Sequence, residues 1–297
     1  MGSIGKRLPK VMWPVFEFSI LELQVRFARS LGYHDIFINL HHQSVEILSR
    51  ATGAAFAGVQ WLKEVPEILD IGGGIHNVAR HVGYTGELLV LNADQFLWFT
   101  GEELTHWVNQ AGDWDCLLLN WKVNSSQGYN QVKVSPGRRF EGVVPNAQLP
   151  RDTAIETYSG NSLIRLDRLS PQDGPSSFFQ SVAPVSKQVM TACLEQRTYW
   201  DFGTATRYHQ SMSGIVKHLA ENREDELIRF MLSQSGIKKE KLRPNTLSYG
   251  CSTPGLIHLG SGIPAADHPP GVVLSGPACA TGQTPVLVFD SEVQPLG

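Results

Sequence analysis

The alternation of hydrophobic and polar positions predicts a regular series of helices and strands in the first part of the chain. Residues 19–31 (SILELQVRFARSL) carry apolar side chains at helical spacing, and Gly32 follows where a helix often ends in a left-handed residue. Strands are predicted at 35–40 and 58–64, with a helix in SVEILSRAT between them. A helix in GGIHNVARHVG and a strand at 86–94 continue the order. This alternation is typical of an α/β fold with a largely parallel sheet.

The pattern changes in the second half of the chain. SSQGYNQVKVSPGRRF predicts a hairpin with a Pro-Gly turn, KQVMTACLEQ (187–196) a helix, and RTYWDFGT a strand. Two more helices are predicted in RYHQSMSGIVKHLAEN and EDELIRFMLSQSG, and short β runs (GLIHLG, GVVLSG, PVLVFDSEV) then follow between glycines and prolines. We therefore predict a main domain at 1–215, a helical connector at 216–245 and a small β-rich tail at 246–297.

Composition and charge exclude several classes of function. The net charge of -3 argues against broad nucleic-acid binding, which needs a basic surface. The apolar runs are far shorter than the ~20 residues of a membrane span, and MGSIGKRLPK lacks the apolar core of a signal peptide. The four cysteines lie far apart without a C-x-x-C pair, which argues against zinc sites and disulfides. We expect a cytoplasmic protein.

The first candidate site is GKRLPK (5–10). Gly5 allows backbone N–H groups to approach a phosphate, and Arg7 and Lys10 supply the positive charge that phosphate oxygens need. A solvated basic N-terminus explains the same residues equally well.

The second candidate is the glycine run in ILDIGGGIHN. Gly72, Gly73 and Gly74 are costly in unfolded-state entropy, which makes sense if a flat ligand lies against bare backbone. The alternative is a tight turn without a ligand.

The third candidate is a pair of acids, Asp94 in LVLNAD and Asp201 in YWDFGT. Each sits at the carboxyl end of a predicted strand, at the edge of an α/β sheet where ligands bind. Two carboxylates with a phosphate nearby offer the hard oxygen ligands that Mg²⁺ prefers. The alternative is that each acid only caps the next helix.

Taken together and in this order, these segments resemble the sugar-1-phosphate nucleotidylyltransferase (NDP-sugar pyrophosphorylase) family over about residues 2–212. GKRL and PKVMWPV resemble the family's G-T-R-L and P-K-P-L-x-P-V, while GYHDIFINLHHQSVEI and EVPEILDIGGGIHN resemble its H-H strand and triple-glycine loop. VLNAD and WDFGTATRY resemble its two metal-binding segments. TYSG (157–160) is similar to the sugar-contacting segment of the branch acting on N-acetylmuramate-1-phosphate and hexose-1-phosphates.

The resemblance implies a Rossmann-like, mostly parallel mixed sheet flanked by helices, of the nucleotide-diphospho-sugar transferase type. It implies that an NTP and a sugar-1-phosphate give an NDP-sugar and pyrophosphate by Mg²⁺-assisted in-line attack. Asp94 and Asp201 would hold the ion, Arg7 would steady the leaving pyrophosphate, and Lys10 would neutralise the α-phosphoryl group. UTP is the favoured nucleotide and GTP the next.

The resemblance also implies binding roles for a further set of residues. Gly5, Gly72, Gly73, Gly74 and Glu64 would contact the nucleotide, and Asn92 and Gly160 the sugar. The tail resembles the hexapeptide repeats of left-handed β-helices, and short coils of that kind pack on a main domain or on another subunit. A homo-oligomer assembled through the tail is therefore possible.

The sequence departs from the family at its start and in its middle. The usual first strand, of the type k-A-M-I-L-A-A-G, is missing, as are the spacer between the two N-terminal motifs and the E-K-P lysine. Loss of a central strand would leave two rows of backbone groups unpaired. These departures keep a second hypothesis open, a degenerate, non-catalytic sugar-nucleotide-binding or regulatory subunit. A third explanation is that the start of the sequence is mis-assigned and the native protein is a normal enzyme. A Rossmann dehydrogenase is excluded because no G-x-G-x-x-G follows the first strand.

Overall fold

The computed structural model describes residues 2–15, 18–195, 197–220, 223, 226–234 and four short segments of the tail. Within these residues the chain forms α-helices at α1 (Gly2–Arg7), α2 (Ile20–Ser30), α3 (Ser44–Arg50), α4 (Asp70–His81), α5 (Gly101–Ala111), α6 (Phe178–Ser181), α7 (Ala205–Ala220) and α8 (Glu226–Gln234). None of the described helices has the length and apolar character that a bilayer crossing requires.

The strands of the main part are short except for two long central ones. They are β1 (Pro14–Val15), β2 (Phe18–Ser19), β3 (Phe37–Leu40), β4 (Gln60–Lys63), β5 (Glu87–Val90), β6 (Gln95–Leu97), β7 (Cys116–Asn124), β8 (Gln131–Val134), β9 (Phe140–Val144), β10 (Ala154–Arg165), β11 (Val189–Leu194) and β12 (Tyr199–Asp201). The tail contributes β13 (Gly255–His258), β14 (Val272–Ser275), β15 (Val286–Phe289) and β16 (Glu292–Pro295).

The strands make a mixed α/β structure with open sheets. The largest sheet of the main part has the order β11-β7-β10-β5, with β11 parallel to β7 and β10 antiparallel to both β7 and β5. A separate parallel pair joins β3 to β4. The predicted α/β class is therefore confirmed. The sheet is mixed and lies in two separate pieces, because β10 is antiparallel to both of its neighbours while β3 and β4 form a parallel pair.

Helices cover both faces of the large sheet. Successive side chains of a strand point to opposite faces, and β7 shows this clearly. Leu117 and Leu119 belong to the apolar cluster that contains Phe27 of α2. Cys116 and Leu118 belong to the cluster that contains the buried side of α4. Helices α2 and α4 therefore lie on opposite faces of this sheet.

The start of the chain is a helix, so the prediction of a phosphate-holding loop at 5–10 is wrong in its secondary structure. Ile4 and Leu8 lie one helical turn apart, and both are buried in the same cluster as Trp13. The Leu8 N–H donates to the Ile4 carbonyl over 2.8 Å. Burial of this apolar pair explains why the segment coils into α1.

The helix predicted at 187–196 is also wrong, because Val189–Leu194 is the edge strand β11, paired in parallel with β7. Val189, Ala192 and Leu194 are buried, and Thr191 is also buried between them. A short apolar run of this length fits a buried strand or a buried helix equally well. Here the segment becomes a strand because it pairs with β7 at the edge of the sheet.

The described strands of the tail pair in both parallel and antiparallel directions. Strand β14 is parallel to β13, whereas β15 is antiparallel to both β14 and β16. Coils of a β-helix stack in parallel, so these pairings do not confirm the β-helix.

Helix α7 runs across the expected domain boundary at residue 215. Leu227 and Met231 of α8 are buried in the apolar cluster that contains the N-terminal helix.

Candidate active site

Asp94 and Asp201 lie side by side. Asp201 is the last residue of β12, which pairs with β6 directly after Asp94, and the Phe202 N–H donates to the Asp94 carbonyl over 2.8 Å. A Cβ placed on Gly203 would lie 2.9 Å from Asp201 Oδ1 and 3.6 Å from Asp94 Oδ2. The two carboxylates therefore lie close together, as predicted. The predicted strand end at Asp94 is wrong, because β5 ends at Val90 and Asp94 lies in the turn before β6.

Lys10 reaches this point from the N-terminal segment. Its Nζ donates to the Asp94 carboxylate and, over 3.1 Å, to the Gly203 carbonyl. Lys10 opens a short 3₁₀ turn, Lys10–Met12, whose exit is held by a hydrogen bond from the Trp13 indole to the Leu8 carbonyl. The buried Trp13 thus positions a half-buried lysine against a half-buried aspartate.

Asp201 is buried and held by three donors. The Tyr129 hydroxyl and Arg207 Nη1 each donate to Oδ2 over 2.7 Å, and the Gly203 N–H donates to Oδ1 over 2.7 Å. Arg207 also lies over the Tyr129 ring, 5.2 Å from its centre. Sequence reasoning missed both partners, although Arg207 is the arginine of the motif-like segment WDFGTATRY.

Burial is the main cause that raises the pKa of Tyr129, and its hydrogen bond to Asp201 raises it further. The Tyr129 hydroxyl therefore stays protonated at neutral pH and acts only as a donor to the carboxylate. Beside it, Tyr199 stacks on Trp121 with ring centres 4.1 Å apart. These aromatic rings form one wall of the acid site.

Tyr129→Phe tests whether this hydroxyl positions Asp201. We expect the Mg²⁺ concentration for half-maximal activity to rise about tenfold, since a lost hydrogen bond to a ligand carboxylate typically costs that much in metal affinity. The measurement is a magnesium titration of pyrophosphate release. Tyr199→Phe is the matched control, because it leaves the bonds to Asp201 intact. An unchanged magnesium dependence in Tyr129→Phe would remove the positioning role.

The two predicted sugar residues, Asn92 and Gly160, contact each other. Gly160 lies in a bulge of β10 at φ +83°, and a Cβ there would lie 2.8 Å from Asn92 Nδ2. The Asn92 side chain donates to Gln95 Oε1 over 2.7 Å, and its backbone N–H donates to Asn161 Oδ1 over 3.1 Å. Asn92 precedes Asp94 by two residues in the chain, and Gly160 packs against Asn92. Their role in sugar binding stays a prediction.

Two of the predicted nucleotide residues also lie together. A Cβ on Gly74 would lie 2.6 Å from Asn39 Nδ2 and 3.1 Å from Glu64 Oε1. Glu64 is buried, and its other carboxylate oxygen accepts from the Leu69 N–H over 3.0 Å. Asn39, which the sequence did not single out, thus joins Glu64 and Gly74 in a polar group at the end of β3.

Gly72 and Gly73 face another part of the chain. They lie in the first turns of α4, and Cβ atoms there would lie within 2.4–2.7 Å of atoms in residues 174–181. The backbone bond from the Gly73 N–H to the Ser176 carbonyl measures 3.2 Å. Close packing of α4 against this segment is thus one reason for the glycines, and a role in nucleotide binding stays a prediction.

Gly73→Ala tests the packing role. The new methyl group would meet the Gly174 carbonyl at 2.5 Å, so we expect a loss of about 1–3 kcal/mol in the free energy of unfolding. Thermal unfolding measures it. Gly101→Ala in the first turn of α5 is the control, because the nearest atom lies at 3.7 Å and little change is expected. Equal stability of the two variants would contradict the packing role.

The remaining predicted residues lie on α1. Arg7 is exposed at the end of the helix, and the Gly5 carbonyl accepts a hydrogen bond from Gln43 Nε2 over 3.0 Å. Of the N-terminal residues, the described contacts thus bring Lys10 to the acids. The phosphate roles of Arg7 and Gly5 stay predictions.

The acid pair suits a divalent cation. Among the described residues no group of three or more histidine, cysteine or acidic side chains gathers at one point. Asp94 and Asp201 nevertheless present hard oxygen donors within 4 Å of a common position. Mg²⁺ is commonly held by one or two carboxylates, with substrate phosphates and water completing the shell. The donors are therefore of the kind that this ion takes, and Mg²⁺ binding here stays a prediction.

Comparisons with known proteins bear on the fold. No family model matches the chain, and no curated protein matches it. HddC from Yersinia pseudotuberculosis complexed with GMP-PN matches with a TM-score of 0.56 and 16% identity, over 72% of this chain and 93% of that one. A putative glucose-1-phosphate thymidylyltransferase from Bacillus anthracis in complex with a sucrose matches with a TM-score of 0.55 and 13% identity, over 77% of this chain and 94% of that one. The chain therefore shares the fold of these proteins.

Proposed function

We propose that this protein is a sugar-1-phosphate nucleotidylyltransferase, which joins an NTP and a sugar-1-phosphate to give an NDP-sugar and pyrophosphate. The observation that carries the proposal is the convergence of Asp94, Asp201 and Lys10 on one point. The shared fold supports it, because one similar structure is of a putative sugar-1-phosphate thymidylyltransferase.

The protein contributes mainly positioning and charge neutralisation to this reaction, because the sugar phosphate oxygen itself attacks the α-phosphorus. Mg²⁺ held by Asp94 and Asp201 would supply charge neutralisation to the phosphate oxygens. Tyr129, Arg207 and the Gly203 N–H fix the Asp201 carboxylate in one orientation. In the structure Lys10 donates to Asp94. When substrate binds, its side chain would turn to the α-phosphoryl group and neutralise its charge.

The substrate roles follow the same geometry. Asn92 and Gly160 lie beside the acid pair, where the sugar of a bound sugar phosphate would lie. Glu64 and Asn39, whose side chains pack against Gly74, would supply polar atoms to a base. UTP stays the favoured nucleotide from the TYSG and triple-glycine segments, and GTP is next, supported by a fold relative that was solved with GMP-PN. Assembly through the tail stays a prediction.

One experiment tests the proposal directly. The protein is incubated with each NTP, Mg²⁺ and a panel of sugar-1-phosphates, and pyrophosphate release is measured. We expect release with at least one pair and none when the sugar phosphate is left out. Binding of an NDP-sugar without release from any pair would contradict the enzyme and support the non-catalytic subunit.

A further inference from the structure

Asp94 lies on a tight turn whose own hydrogen bond is long. The turn is formed by residues 92–95, between β5 and β6. The Gln95 backbone nitrogen lies 3.5 Å from the Asn92 carbonyl oxygen, whereas backbone hydrogen bonds normally measure about 2.7–3.2 Å. The backbone of the turn therefore holds Asp94 only weakly by itself.

A side chain of α2 supplies shorter bonds to the same turn. Gln24 Nε2 donates to the Asn92 carbonyl over 2.7 Å and to the Gln95 carbonyl over 2.9 Å. Because both partners are acceptors, the Gln24 amide turns its nitrogen toward them. One amide group thus joins the two ends of the turn, and Asp94 lies between these ends in the chain.

Gln24 occupies a position on α2 that otherwise suits an apolar residue. Its side chain is buried, and Leu23 and Val25 beside it in the chain belong to the apolar core. The Gln24 Oε1 atom has no hydrogen-bond partner among the described residues. A buried amide with an unpaired oxygen destabilises a fold. The two bonds to the turn are therefore what Gln24 provides and an apolar side chain would not.

The same turn connects Asp94 to Asp201. Gln95 is the first residue of β6, and it lies opposite Asp201 in the antiparallel pair of β6 and β12. The Phe202 N–H donates to the Asp94 carbonyl over 2.8 Å. A movement of the turn would therefore change the separation of the two carboxylates.

We propose that Gln24 is a positioning residue of the acid site, which fixes the turn at 92–95 and so holds the Asp94 carboxylate beside that of Asp201. Its described hydrogen bonds go to backbone carbonyls, so it acts through the turn and not on a substrate. The inference rests on the proposed function, because a displaced Asp94 would weaken the binding of the metal ion that the two carboxylates would hold.

Gln24→Met tests this role, because methionine has a similar length and volume but cannot donate a hydrogen bond. Binding of Mn²⁺ to the full chain, alone and with UTP or GTP, is measured by electron paramagnetic resonance. We expect the Kd for Mn²⁺ to rise about tenfold, as is typical when a residue that orients a metal ligand is lost. The Mg²⁺ concentration for half-maximal pyrophosphate release should rise by a similar factor, with little change in the KM of the sugar phosphate.

Ile20→Val is the matched control on the same helix. Ile20 is buried, and the loss of one methyl group there should lower Tm by about 2–4 °C without removing a contact of the turn. Its Mn²⁺ affinity should equal that of the original protein. Gln24→Glu is the second variant if Gln24→Met does not fold. It keeps the size of the side chain but turns an ionised oxygen toward two carbonyls, so it should weaken Mn²⁺ binding at least as much.

Three results would overturn the inference. The first is an unchanged Mn²⁺ affinity in folded Gln24→Met or Gln24→Glu, which would leave the proposed function standing. The second is an equal loss of affinity in Gln24→Met and Ile20→Val, because the cause would then be lower stability and not the turn. The third is no Mn²⁺ binding by the original protein under any of these conditions, which would also overturn the metal assignment.

Discussion

Asp94→Ala and Asp201→Ala are each expected to lower pyrophosphate release by about a thousandfold or more, because each removes one of the two carboxylates that would hold the metal ion. Asp201→Ala also leaves Arg207 and Tyr129 without their shared acceptor. The measurement is kcat and KM with the best substrate pair, at saturating Mg²⁺. Asp167→Ala, at an exposed position outside the site, should retain full activity.

The two variants separate a functional loss from a structural one. Asp201 is buried and Asp94 is half-buried, so thermal unfolding is measured for both. We expect Asp94→Ala to unfold close to the original protein while its activity is lost. Retained turnover in either folded variant would overturn the metal assignment. Another site would then have to account for the pyrophosphate release.

Local sequence features predicted the elements whose signals lie within one turn. Helix α2 formed where an amphipathic run follows Ser19, whose side chain accepts from the Glu22 N–H over 3.1 Å. Gly32 ends this region at φ +92°, as its position predicted. In both cases the physical cause is local, so one sequence is enough to detect it.

Elements decided by distant contacts were missed. The helix α1 depends on burial of Ile4 and Leu8 beneath Trp13, and β11 depends on its place next to β7. The apolar pattern of six to ten residues cannot show whether such a segment becomes a helix, a strand or a loop.

The candidate site divides in the same way. The proximity of Asp94 and Asp201 was predicted from sequence, but the structure joins them through the antiparallel pair of β6 and β12 rather than through the ends of parallel strands. Tyr129 could not be predicted, because it reaches Asp201 from an irregular segment 72 residues away in the chain.

Lys10→Ala is expected to lower kcat by about a hundredfold, with a smaller change in the KM of either substrate. The Lys10 ammonium contacts the Asp94 carboxylate and the Gly203 carbonyl. In the proposed reaction it would stabilise the negative charge that develops on the α-phosphoryl group. Lys10→Arg should restore little, because a planar guanidinium does not replace a compact point charge at these two oxygens.

Lys6 offers the matched control for this prediction. It is exposed on α1, and its loss removes the same charge from the same N-terminal segment. If Lys10 acted only through the overall positive potential of this segment, Lys6→Ala and Lys10→Ala would slow the reaction equally. A hundredfold loss for Lys10→Ala, beside full activity for Lys6→Ala, places the effect on the Lys10 ammonium, which contacts Asp94. Equal kcat values for the two variants would remove Lys10 from the catalytic machinery.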